Sequence, residues 1–142
     1  MNLNCVIIDD EPLAQELLKS YVEKTPILNL IGVYSNPLLA MKDLVGKALE
    51  SDRVKVFANN KSVSRVAVCS GSGGSVLRDA YLAGADTLVT GEVKYNNELD
   101  AAEYGVNLIV AGHKETERIV LPVIKDIILK GFPSAEVFVY YA

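Results

Sequence analysis

Three short stretches of this sequence hold side chains in patterns that chemistry can use. Asp9-Asp10-Glu11 follows the apolar run Leu3 to Ile8. Adjacent carboxylates suit a hard divalent cation such as Mg²⁺, which prefers oxygen ligands. The alternative is that Asp10 or Glu11 caps the free N–H groups of a helix beginning at Pro12. Gly112-His113 followed by Glu117 places an imidazole and a carboxylate four residues apart, on one face if a helix begins there. That donor pair suits zinc, iron or manganese; the alternative is a structural or solvated histidine at a strand end. Ser70-Gly71-Ser72-Gly73-Gly74-Ser75 could cradle an anion on consecutive backbone amides, or form a tight turn with Ser75 as cap. No lysine follows, so a P-loop is excluded, and the spacing fails Gly-x-Gly-x-x-Gly.

These stretches lie at the ends of alternating strand-like and helix-like segments. Leu3 to Ile8 and Leu28 to Tyr34 read as strands, the first buried on both faces. Leu13, Ala14, Leu17, Leu18, Tyr21 and Val22 form a helical stripe after Pro12, and Ser35-Asn36-Pro37 starts a second helix. Val54 to Ala58, Arg65 to Cys69, Thr87 to Thr90, Asn107 to Ala111 and Val137 to Tyr141 read as further strands, with a turn at Asn59 to Ser62. Helices are expected over 76–82 and 96–104, and over 115–130 with a bend or restart at Pro122. Such alternation predicts an α/β fold: a three-layer, doubly wound, mostly parallel sheet of the flavodoxin-like kind. Val54 to Ala58 has no place in that scheme. One domain is expected over 1–142, since 142 residues is ample for one core.

Composition narrows the function. The net charge of −4 argues against nucleic acid and anionic membrane as partners, because phosphate binding needs clustered Lys and Arg. No apolar run is long enough to span a bilayer, and the N-terminus does not look like a secretion signal. Cys5 and Cys69 sit in apolar runs and read as buried free thiols of a cytoplasmic protein. The last strand, aromatic and short of charge, offers an edge for self-association.

Two resemblances bear on the site. Residues 1 to about 45, with CVIIDDEPLA and LIGVYSNPLLAM, look like the receiver domain of a bacterial response regulator of the LytTR type. That resemblance implies Mg²⁺ at Asp9 and Asp10 beside a phosphorylated aspartate ending the third strand. The aspartate is missing, because Arg65 to Cys69 ends in Ser70-Gly71. Thr90 and Lys114 fall where a receiver keeps its Thr and Lys, but they lie in segments resembling another family. Residues from about 50 to 140, with DRVKVFANN, RVAVCSGSGGS, DAYLAGADTLVTGEVKY, LDAAEYGVNLIVAGH and ETERIVLPV, look like the C-terminal half of the NIF-three-like family of dinuclear-metal proteins. Its members are often labelled GTP cyclohydrolase one type two by homology. This resemblance implies that His113 and Glu117 are metal ligands. It also implies that a pair of His and an Asp come from the N-terminal half, and this chain has a single histidine. Asn96 and Lys114 stand where many relatives carry His and an aromatic residue.

Together these features lead to the expectation of an engineered chimera joined near 44–52, a scaffold without evolved catalytic activity and without a dedicated cofactor or specific partner. Hydrolysis of a phosphoester is disfavoured, since one His and one Glu cannot supply both a two-metal clamp and a base. The alternative expectation is weak binding of Mg²⁺, Zn²⁺ or Mn²⁺ by Asp9, Asp10, His113 and Glu117, brought together if the fifth strand ends near the first.

Overall fold

The structure is a computed structural model describing residues 2–59 and 62–141, so the turn expected at Asn59 to Ser62 lies partly outside the described residues. Strand β1 (Leu3–Ile8) and strand β2 (Leu28–Tyr34) pair in parallel, Leu3 opposite Leu28 and Ile8 opposite Tyr34. Helix α1 (Pro12–Glu23) connects them, with proline in its first turn where a missing N–H costs nothing. Helix α2 (Pro37–Ala48) follows β2. Its start is fixed by Asn36, whose side chain accepts a hydrogen bond from the Leu39 N–H at 2.9 Å.

The remaining strands form a second sheet. β3 (Lys55–Phe57), β4 (Val66–Ser72), β5 (Thr87–Glu92) and β6 (Asn107–Val110) stand in the order β3-β6-β5-β4. β4, β5 and β6 are parallel, whereas β3 runs antiparallel to β6. Helix α3 (Leu77–Leu82) links β4 to β5, and α4 (Tyr95–Tyr104) links β5 to β6. The end of α4 is set by Gly105 in the left-handed conformation at φ 67°. After β6 come α5 (His113–Glu117), one 3₁₀ turn over Arg118–Val120, and α6 (Leu121–Gly131) with Pro122 in its first turn.

The core belongs to the second sheet. Leu77, Leu88, Ala101, Val106 and Leu108 are buried beneath α3 and α4. On the opposite face Val54, Val89, Ile109 and Ala111 are buried against Met41 and Val45 of α2 and Leu49 just after it. Each fully buried Leu or Ile there contributes about 1.5–3 kcal/mol relative to an exposed one. Among the described residues no helix is long and apolar enough to cross a membrane.

Four expectations need correction. The fold is α/β with parallel strands, but it holds two sheets rather than one flavodoxin-like sheet, because β3 turns antiparallel onto β6 and β1 pairs only with β2. β1 is not buried on both faces: of its residues only Ile7 is buried, and the α1 stripe stays exposed at Leu13, Leu17, Leu18 and Tyr21. Val137 to Tyr141 forms no strand, and Phe138 and Tyr140 are exposed. Cys5 and Cys69 are free thiols as expected, but half-buried.

Candidate functional site

Parallel pairing of β5 with β6 brings their carboxyl ends side by side, and the Gly112 N–H donates to the Gly91 carbonyl at 2.9 Å. Glu92 ends β5, and His113 opens α5 after a turn at Gly112 with φ 103°. The two side chains meet: His113 Nδ1 lies 3.1 Å from a Glu92 carboxylate oxygen. One helical turn on, the Glu117 carboxylate lies 3.0 Å from His113 Nε2. His113 is thus held at both ring nitrogens by carboxylates from two different elements.

A packed base supports this triad. The β4 ladder is interrupted between Cys69 and Ser72, where Gly71 adopts φ 65° beneath the side chains. The Gly71 N–H donates to the Thr116 hydroxyl at 3.0 Å, and the Thr90 hydroxyl donates to the Gly71 carbonyl at 3.1 Å. Both threonines are buried, so the Gly71 peptide is clamped from two sides. Gly91 is equally constrained. A Cβ there would sit 2.6 Å from the Gly71 carbonyl oxygen and 2.8 Å from His113 Cα, both backbone atoms that cannot rotate away.

The side chains of His113, Glu92 and Glu117 are about half exposed, at 45 % and 55 %. Ion pairs in that setting contribute about 0–1 kcal/mol. The arrangement therefore adds little to stability, and its use lies elsewhere. The Glu92 carboxylate beside Nδ1 raises the His113 pKa above its ordinary value, partial desolvation opposes this, and the negative charges of Glu117 and Glu92 add to it. Beside His113 and Glu117 opens a cavity of about 760 Å³, also lined by Ser70, Ile119, Tyr140 and Tyr141.

The acidic pair lies elsewhere. Asp9 and Asp10 line a separate groove of about 1140 Å³ with Asn36 at the start of α2 and Asn59 beyond β3. Asp9 Oδ1 accepts from the Glu11 N–H at 2.8 Å, so Asp9 closes the turn into α1; Glu11 at the cap position makes no side-chain cap bond. The expected convergence of Asp9 and Asp10 with His113 and Glu117 does not occur, because β1 belongs to the other sheet. Among the described residues no three His, Cys, Asp or Glu side chains gather as a ready metal site. Ser75 makes no side-chain cap bond either: β4 runs on to Ser72, and a 3₁₀ turn spans Gly74–Val76.

Sequence reasoning missed Glu92 and Thr116, and it read Gly71 as part of an anion cradle or tight turn rather than as the floor of this site. A carboxylate at the end of a strand neighbouring the histidine's strand was the available signal, but it needs the β5-β6 pairing to be read.

The arrangement has relatives. Residues 16–141 match the sequence model of Duf34/NIF3 (NGG1p interacting factor 3). The chain belongs to the Duf34/NIF3 family. Over 56 residues it is 50 % identical to a GTP cyclohydrolase 1 type 2 homolog of Deinococcus radiodurans, covering 39 % of this chain and 21 % of the relative. Over 141 residues it is 27 % identical to the homolog of that name from Staphylococcus aureus strain MSSA476, covering 87 % of this chain and 38 % of the relative. The crystal structure of TTHA1606 from Thermus thermophilus superposes with a TM-score of 0.62 at 30 % identity, over 75 % of this chain and 43 % of that one. This Duf34/NIF3 chain thus spans roughly a fifth to two-fifths of the length of these relatives.

These matches overturn the expectation of an engineered chimeric scaffold: the chain comes from an evolved family. Natural relatives reach 50 % identity over 56 residues, and the family match begins at residue 16, inside the stretch read as receiver-like, and extends past the expected junction at 44–52. The receiver reading rested on CVIIDDEPLA and LIGVYSNPLLAM, and the second of these stretches lies inside the family match.

Proposed function

We propose that this Duf34/NIF3 chain binds a divalent transition-metal ion through His113 and Glu117, with Glu92 orienting the imidazole. One observation carries the reading. A neutral imidazole has a single N–H, yet His113 faces a carboxylate at each ring nitrogen, 3.1 Å and 3.0 Å away. If Nδ1–H donates to Glu92, the lone pair of Nε2 points at Glu117, and a positive charge must join the two atoms: a second proton at low pH, which the raised pKa of His113 favours, or a metal ion that displaces that proton.

The donors fit such an ion. Ligand atoms each about 2.0–2.2 Å from one metal lie roughly 3 Å apart when they occupy adjacent positions. Nε2 and the Glu117 oxygen are 3.0 Å apart. A carboxylate on the far nitrogen is the usual partner of a metal-bound histidine, since it fixes the tautomer and the ring plane. The floor beneath the pair is glycine: a Cβ on Gly71 would stand 3.2 Å from Nε2. Nitrogen and carboxylate donors favour zinc or manganese over magnesium. A bound ion would act as a Lewis acid and lower the pKa of bound water.

Within the chain the roles divide clearly. His113 and Glu117 bind, Glu92 orients, and Thr90 and Thr116 hold the Gly71 turn on which the pair rests. Asp9 and Asp10 have no part. Calorimetric titration with Mn²⁺ and Zn²⁺ tests it: saturable one-to-one binding is expected for the native chain and its loss in both His113→Ala and Glu117→Ala. Equal binding by the native chain and His113→Ala, or none by the native chain, refutes it.

A further inference from the structure

We infer that a second, apolar cavity beside the His113 site is a binding site for a compact aromatic or branched hydrocarbon group. It lies between α2 and the open face of β4 and β5, holds about 270 Å³, and is walled by Met41, Val45, Leu49, Val68, Val89 and Ile119. Two of its polar lining groups are already engaged. The Thr116 hydroxyl accepts from the Gly71 N–H at 3.0 Å, and the Cys69 thiol donates to the Ser70 carbonyl at 3.5 Å. Water entering it finds few hydrogen-bond partners, and an apolar space of roughly 150 Å³ already suffices to hold benzene. The volume suits one or two fused rings, and exposed Val68 and Ile119 mark its mouth.

The position gives the cavity its meaning. Ser70, Thr116 and Ile119 line both this space and the larger one beside His113 and Glu117, so the two adjoin at the start of the Gly71 turn. A ligand with a ring or branched alkyl group in the apolar cavity would present its remaining atoms to the His113 side. The ligand class is therefore a small molecule with a compact hydrocarbon end and a polar end. The apolar half of this inference does not rest on metal binding.

The experiment uses the full chain in the presence of a chelator, with indole as probe and methyl NMR as readout. Expected are saturable shifts of the Met41, Val45 and Val89 methyl signals, half-complete at or below about 1 mM, the affinity expected of nine heavy atoms. Ala48→Phe, which projects a ring into the same space from α2, should remove the response. Absence of saturable shifts in the native chain, or unchanged shifts in a folded Ala48→Phe, overturns the inference. Where that variant does not fold, alkylation decides: saturating indole should slow Cys69 modification at least fivefold and leave Cys5 unaffected, and equal Cys69 rates overturn the inference. Because no metal is present, failure here is separate from failure of the metal reading.

Discussion

Gly71 approaches Glu117 so closely that a single added carbon would sit 2.6 Å from its carboxylate oxygen. The same glycine has φ 65°, a conformation that costs an alanine about 1–2 kcal/mol. Gly71→Ala should therefore do two separable things. Urea unfolding should show a loss of about 1–2 kcal/mol. Metal titration should show affinity falling roughly 10–100-fold, as when a supporting contact of a ligand is disturbed. Lost stability with unchanged affinity would show that Glu117 is not a ligand.

The role of Glu92 is legible in a pH titration. His113 has a folded-state pKa above its ordinary value, chiefly through Glu92. The associated stabilisation is complete below the unfolded-state pKa and is lost as pH rises through the folded one. Glu92→Gln should lower the NMR titration midpoint of this imidazole, which as the chain's single histidine needs no assignment. A midpoint that stays or rises contradicts the Nδ1 contact.

The clamp on the Gly71 peptide predicts a stability effect away from any charge. Thr116→Val keeps the shape of the side chain but removes the acceptor for a buried N–H 3.0 Å away. The cost should be about 1–3 kcal/mol in thermal or denaturant unfolding. A change under about 0.5 kcal/mol would show that the turn finds another partner.

Asp86 contributes to the acid side of the stability profile. Burial pushes its carboxyl up, but the N–H groups of Ser64 and Arg65, the Thr87 hydroxyl and the Arg65 charge outweigh this and hold it below its ordinary value. A depressed carboxylate stabilises above its unfolded pKa, and that contribution disappears as pH falls through the folded value. Asp86→Asn should thus be less stable than the native chain at pH 7 and nearly equal to it near pH 2, by urea unfolding at both. Equal stability at pH 7 would contradict this.

Local elements were readable because their signals are local. Pro12, Asn36-Pro37 and Gly105 mark α1, α2 and the end of α4 through caps and backbone freedom that act within a turn. The His113–Glu117 contact was readable for the same reason, as a one-turn spacing. What stayed hidden depends on pairing between distant strands. The antiparallel seat of β3 on β6, the separation of β1 from the larger sheet and hence of Asp9 and Asp10 from His113 are decided by which edges meet. Glu92 stayed hidden for that reason too, since only the β5-β6 register brings it to Nδ1. Val137 to Tyr141 shows the converse: strand-forming residues without a partner edge remain unpaired.

The most direct measurement is a long-range ¹H–¹⁵N spectrum of the single imidazole during a zinc titration of the untagged chain near pH 7.5. Coordination through Nε2 with Nδ1–H on Glu92 predicts a saturable change at Nε2 by one equivalent, while Nδ1 stays protonated. No change in either nitrogen at excess zinc, or a change at Nδ1 with Nε2 unmoved, would contradict the site.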